Sequence, residues 1–158
     1  MAARQDYALT MSEQPFKGDP SDWPRWLADI TLHATGIGGA VLWSSICGDG
    51  LTTGTYREAE EAEQQQLVTQ LSRATKAIRD LEGVPDLRDE EQREALYNDD
   101  EAMIQALASV QTLGLRLLRA NCAGTAKTRI STVQPTGDCA KAAYDKLLAY
   151  VPREQHNL

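Results

Sequence analysis

Apolar residues recur three and four positions apart along most of this chain, and nowhere do they alternate strictly with polar ones. That period belongs to α-helices buried on one face. Trp23, Trp26, Leu27 and Ile30 form the first stripe and predict a helix from Asp22 to about Thr35. Ser21 or Asp22 suits its cap, and Pro24 its first turn, where no amide hydrogen is needed. Gly36 is expected to end it in a left-handed turn. A short helix from Gly39 to Ile46 follows with Leu42 and Trp43, before Gly48, Gly50 and Gly54 break the chain. Thr55 and Glu58 have capping-box spacing and open a long helix to Leu81, with Leu67, Leu71, Ala74, Ile78 and Leu81 inward. Its two heptads are too few for a coiled coil. Gly83-Val84-Pro85 stops it.

Asp89 and Gln92 repeat the capping-box spacing and start a short acidic helix to about Tyr97, after which Asn98 to Asp100 is a break or a recap. From Glu101 to Asn121, Met103, Leu107, Val110, Leu113 and Leu117 share one stripe, and Ile104, Leu115 and Leu118 widen it until little polar face remains. A helix apolar nearly all round is a central one. Gly124 interrupts, Thr125 to Ser131 suggests a short helix, and Asp138 caps a last one with Ala142, Ala143, Leu147 and Tyr150 inward. The expected fold is all-α, a compact orthogonal or bundle-like domain of about five to seven helices. It spans residues 15–151, between a polar arm at 1–14 and a tail at 152–158.

Composition narrows the class. With 158 residues, 42% of them hydrophobic and 25% charged, the chain suits one soluble domain rich in helix-forming residues. No run of apolar residues approaches bilayer length, and the N-terminus lacks the apolar core of a secretory signal, which points to a cytoplasmic protein without a membrane partner. Cys47, Cys122 and Cys139 fit neither a disulfide framework nor a metal site, leaving small buried hydrophobes as their reading. The net charge of −7 is uneven: residues 52–101 hold fourteen acids and six bases, a local −8. That block is a partner surface or a solvated exterior, and it argues against strong nucleic-acid binding. Arg116, Arg119, Lys127 and Arg129 make a modest basic cluster that faces RNA, an acidic neighbour or simply solvent.

Chemistry has little to draw on. Of the two histidines, His156 lies in the tail and His33 near a helix end, where packing or capping outweighs catalysis. A Cys47–His33 nucleophile pair has no support from its surroundings. Glu-x-x-His pairs of a carboxylate-bridged metal site do not occur. Gly36, Gly38 and Gly39 lack the lysine and preceding strand of a phosphate loop. The expectation is a non-enzyme with no metal and no cofactor.

One arrangement stands out: Phe16, Gly18, then Trp23 and Trp26 on a capped helix, with Leu42-Trp43 some way on. Near the other end, Ala140, Tyr144, Leu147 and Leu148 precede Tyr150. Together these resemble the Gag polyprotein of copia-type LTR retrotransposons, fungal members above all, with Tyr144 where the family usually has tryptophan. The two matching ends bracket most of the chain; residues 52–100 match no motif. The resemblance implies a retroviral-capsid-like amino-terminal lobe that self-associates into the shell of a virus-like particle. It also implies other Gag segments as partners and the motif residues Phe16, Trp23, Trp26, Leu42, Trp43, Tyr144 and Leu147 as core anchors, to which the apolar stripes add Leu27, Ile30, Leu107, Val110 and Leu113. The outer faces of the first helix and of 56–81, expected to be polar, are the candidate contacts between copies. A monomeric adaptor using the acidic segment is the alternative, and a lipid or small-molecule carrier a weaker one.

Overall fold

Asp19 accepts hydrogen bonds from the amide and hydroxyl of Ser21, starting a 3-10 turn over Pro20–Asp22 that leads into the first helix. Asp22 holds the N-cap position of that helix without a side-chain cap bond, so the capping expected of Ser21 or Asp22 is done one turn earlier. The computed structural model describes residues 9–11, 14–82 and 89–151. The stop at Gly83-Val84-Pro85, the rest of the arm and the tail 152–158 lie outside the described residues. Among those described are seven α-helices: α1 (Trp23–Cys47), α2 (Thr53–Glu58), α3 (Glu61–Glu82), α4 (Asp89–Asn98), α5 (Asp100–Ala120), α6 (Gly124–Ile130) and α7 (Cys139–Leu147). A last 3-10 turn covers Leu148–Tyr150. The fold is all-helical; α1 packs on α3, α5 and α7, while α5 also touches α2, α3, α4 and α7.

The first helix does not end at Gly36. It continues to Gly39, which at φ 71°, ψ −169° breaks it into segments 23–38 and 40–47. Gly36 is exposed, and a side chain there would meet open space; a Cβ on Gly39 would lie 2.7 Å from Gln70. Gln70 of α3 explains the location of the bend. Its Oε1 accepts the Val41 amide at 2.9 Å, satisfying a donor that the break takes from the helix ladder.

The helix expected from Thr55 to Leu81 is two helices. Thr52, not Thr55, caps α2 by accepting the Thr55 amide at 3.0 Å, and Ala59 then turns extended. α3 starts afresh at Glu61, where Gln64 Nε2 donates to the Tyr56 carbonyl at 2.9 Å and pins the joint. The buried stripe of α3 is also rotated: Val68 is enclosed and Leu67 only partly so. Asp99 accepts the Glu101 amide at 3.0 Å, making 98–100 a recap.

α5 is the central helix, though Ile104 points to solvent with 57% of its surface exposed. Leu115 and Leu118 are buried. A Cβ on Gly114 would stand 2.7 Å from Ala140 Cβ and 2.9 Å from Ile46 Cγ1, so α1, α5 and α7 meet at this missing side chain. Asp138 makes no side-chain cap bond to α7. Gln111 of α5 does that work, accepting the Ala140 amide at 3.0 Å while donating to the Ser45 carbonyl at 2.9 Å. Ala142, expected inward, is exposed because α7 turns Ala140, Ala143, Tyr144 and Leu147 to the core.

Residues 9–11, assigned to the polar arm from sequence, are packed in. Leu9 and Met11 are buried, and Asn121, itself 1% exposed, holds their backbone. Its Oδ1 accepts the Met11 amide at 2.7 Å, and its Nδ2 donates to the carbonyls of Leu9 at 2.9 Å and Leu117 at 2.8 Å. Phe16 then pairs with Cys122 in an isolated parallel bridge, through Phe16 N to Asn121 O at 3.0 Å and Ala123 N to Phe16 O at 2.8 Å. Two apolar residues outside any helix are too short a run to announce themselves by periodicity.

Contrary to the sequence reading of the apolar runs, the helix from Pro20 to Cys47, 28 residues long, meets the length and apolarity of a membrane span. Trp23, Trp26, Ile30, Leu42 and Ile46 on it are buried against the other helices, and the bend at Gly39 interrupts it.

Gly39→Ala is expected to cost about 3 kcal/mol, because it strains a glycine-only conformation and expels Gln70. Gln70→Ala should cost about 1–2 kcal/mol, and the double variant less than the sum. Gly36→Ala should stabilise by about 0.5–1 kcal/mol. Urea unfolding of the four proteins checks this; a costly Gly36→Ala with a neutral Gly39→Ala would place the bend elsewhere.

Candidate functional site

The aromatic residues that carry the sequence motif form one cluster. Phe16 is enclosed, its ring centroid 5.5 Å from Trp23, 5.3 Å from Trp26 and 5.6 Å from Tyr150. The two indoles lie 5.5 Å apart, as their three-residue spacing on α1 requires. Tyr144 of α7 closes the group, 6.1 Å from Trp23 and 5.9 Å from Trp43. Trp26 Nε1 donates to the Asn121 carbonyl at 3.0 Å, so the buried indole keeps a partner. Ile30, Leu42, Val110, Leu113 and Leu147 are buried in the same core, with Leu27, Trp43 and Leu107 partly buried against it.

Of the four basic residues named from sequence, Arg116 and Arg119 lie on the last turns of α5, and Lys127 and Arg129 on the last turn of α6. Arg119 Nη2 donates to the Val133 and Ser131 carbonyls, fastening the loop after α6 onto α5. Arg129 Nε donates to the Lys146 carbonyl at 2.9 Å, and its guanidinium lies 5.7 Å from the Tyr150 ring centroid. Arg116 is half-buried and Lys127 exposed. Both guanidinia thus tie α6 and the loop after it to their neighbours. The acidic block coats α2, α3 and α4, where Arg57 joins Asp100 and the Tyr97 carbonyl and Arg79 Nη1 donates to Gln92 at 2.9 Å.

The remaining candidates stay apart. His33 Nε2 is 2.8 Å from the Leu9 carbonyl, so it carries the proton and helps hold the N-terminal segment. Cys47 is exposed at the end of α1, beside Lys141 and Tyr144. Among the described residues no three His, Cys, Asp or Glu side chains converge as a metal site would need. Two surface clefts are bordered by charged residues with apolar surface between them. One, of 460 Å³, has Gln14, Lys17, Asp22 and Arg25; the other, of 360 Å³, has Asp49, Gln111, Asp138, Lys141 and Asp145.

The outer face of α1 differs from expectation. It is only partly polar: Pro24, Ala28, Leu32, Thr35 and Gly36 are exposed and uncharged, the Arg25–Asp29 ion pair lies beside them, and Leu32 leaves 75% of its surface in solvent. Spaced by three and four, they lie in one row. Sequence reading missed this row because a core stripe of tryptophans dominates the periodicity. It also missed Asn121, Gln111 and Gln70, whose amides act across the fold.

Burial pushes the Cys122 thiol and the Tyr144 phenol up to about 12. In the unfolded chain these groups ionise near about 8.5 and 10. Above those values the unfolded state holds fewer protons than the folded one, so stability falls as pH rises, by at most about 1.4 kcal/mol per pH unit per group. The urea midpoint should hold steady to about pH 8 and fall above about pH 9, with Cys122→Ala removing the earlier part of the fall. A midpoint level to pH 11 would contradict the burial of both groups.

Comparison with known proteins returns no match: no family model, curated protein or solved structure aligns with this chain.

Proposed function

We propose that this chain is a capsid-like structural domain of the kind found in copia-type Gag polyproteins, or a host derivative of one. In this reading it builds a particle shell by associating with copies of itself, and it has no catalytic role. The observation that carries the reading is the exposed row of small residues on α1 with Leu32 at its middle, flanked by the Arg25–Asp29 ion pair. Small side chains beside one projecting leucine suit the close approach of a second helix, and water gains by losing contact with them. One such contact is weak, but symmetry repeats it, and repetition makes a closed assembly firm.

The aromatic cluster adds support, since Phe16, Trp23 and Trp26 from one end of the chain meet Tyr144 and Tyr150 from the other. The residues on which the resemblance rests are therefore one packing unit. A monomeric adaptor using the exposed acids of α3 and α4 is the second reading, favoured by their solvent-facing density. The carrier reading draws no support from the two surface clefts.

Light scattering on a sizing column, from micromolar to millimolar protein, followed by negative-stain microscopy, separates these readings. Mass should grow with concentration, and rings, sheets or shells should appear. Leu32→Asp should leave the unfolding midpoint within about 0.5 kcal/mol of the parent and weaken the association. A monomer across the whole range would favour the adaptor.

A further inference from the structure

Charge is sorted along α5. At its start Asp99, Asp100 and Glu101 are exposed, next to Glu94 of α4 and, through the Arg57–Asp100 ion pair, Glu58 of α2. At its end lie Arg116 and Arg119, followed by Lys127 and Arg129 of α6, and Arg129 brings in Lys146 of α7 by bonding its carbonyl. No carboxylate occurs in residues 102–137. The 21 residues of α5, at a rise of about 1.5 Å each, hold the two ends roughly 30 Å apart. That exceeds several times the screening length of about 8 Å at physiological salt, so neither end neutralises the other within one molecule.

We propose that copies of this chain dock head to tail, the acidic start of α5 on one copy against the basic α5–α6 end of the next. This rests on the self-association reading and names a pair of surfaces for it. The partner is a second copy because one molecule carries both halves of the complementary pair. RNA would engage the basic end alone, against a net charge of −7, and would leave the acidic end without a counterpart. Arg119 and Arg129 are already fixed by carbonyl acceptors, so little side-chain freedom is lost when they meet carboxylates. Two different patches make the contact heterologous. It closes into a ring where the rotation permits and otherwise runs on as a filament.

The test uses the full chain. The concentration at half-association should rise about tenfold or more between roughly 0.05 and 0.5 M salt. Two double variants then follow: Lys127→Glu with Lys146→Glu, and Glu94→Lys with Glu101→Lys. Each cancels most of the charge at one end, leaves the other end intact, and should weaken association about tenfold or more, with parental helicity by circular dichroism. An equimolar mixture of the two should associate again, which misfolded proteins would not do. Association that survives high salt and both reversals overturns the head-to-tail contact while leaving self-association standing, and so does failure of the mixture to recover. Monomers of the parent chain under every condition remove both.

Discussion

The fold hangs on the carboxamide and carbonyl of one buried residue, Asn121, at the point where the central helix stops. A helix end leaves acceptors unsatisfied, and burying them costs free energy unless donors are found. Here the indole of Trp26 and the amide of Phe16 supply donors to the Asn121 carbonyl, and the side chain returns one to Leu117. The remaining capacity of the side chain reads the backbone of Leu9 and Met11, two residues apart in the N-terminal segment. Thus α1, α5 and the N-terminal segment are fastened by one amide, and the aromatic cluster is stacked on that junction. Each partner is chemically obliged, since every one of these polar groups is buried.

The all-helical class and most helix positions were legible because they depend on local period and composition. The errors share a cause. Gly36 and Gly39 look alike in sequence; what distinguishes them is the side chain of Gln70, thirty-one residues beyond Gly39, waiting to receive an amide. Thr55 looked like a cap because Glu58 follows it, yet Thr52 was better placed. Asp138 looked like the cap of α7, and a glutamine from α5 took that place. Ile104 matched the spacing of the α5 stripe but falls on its outer edge. Periodicity says which residues of a helix agree with one another. It does not say which long-range amide will complete a helix end.

The surface has the opposite character. Its charges were countable from sequence, but their separation along α5 appears only once the chain is folded, when the acids of α2 and α4 gather at one end and the bases of α6 and α7 at the other. The uncharged row of α1 was hidden for a further reason. A helix whose inner face carries two tryptophans gives a strong signal inward, and the small residues opposite look neutral by comparison. Beyond the Arg25–Asp29 pair much of the exterior of α1 is uncharged as well, which is why among the described residues it has the length and apolarity of a membrane span while most of its large side chains are spent on the core.

The pairing of the N-terminal segment with Asn121 also sets an order of events. Met11 and its acceptor are separated by 110 positions. During synthesis this segment therefore emerges well ahead of Asn121 and waits for its amide until 110 further residues have followed. Closing so long a loop is slow compared with forming the helices between its ends. Until then Leu9 and Met11 lack the amide that holds their backbone, so a segment made before the helices is among the last to be fixed.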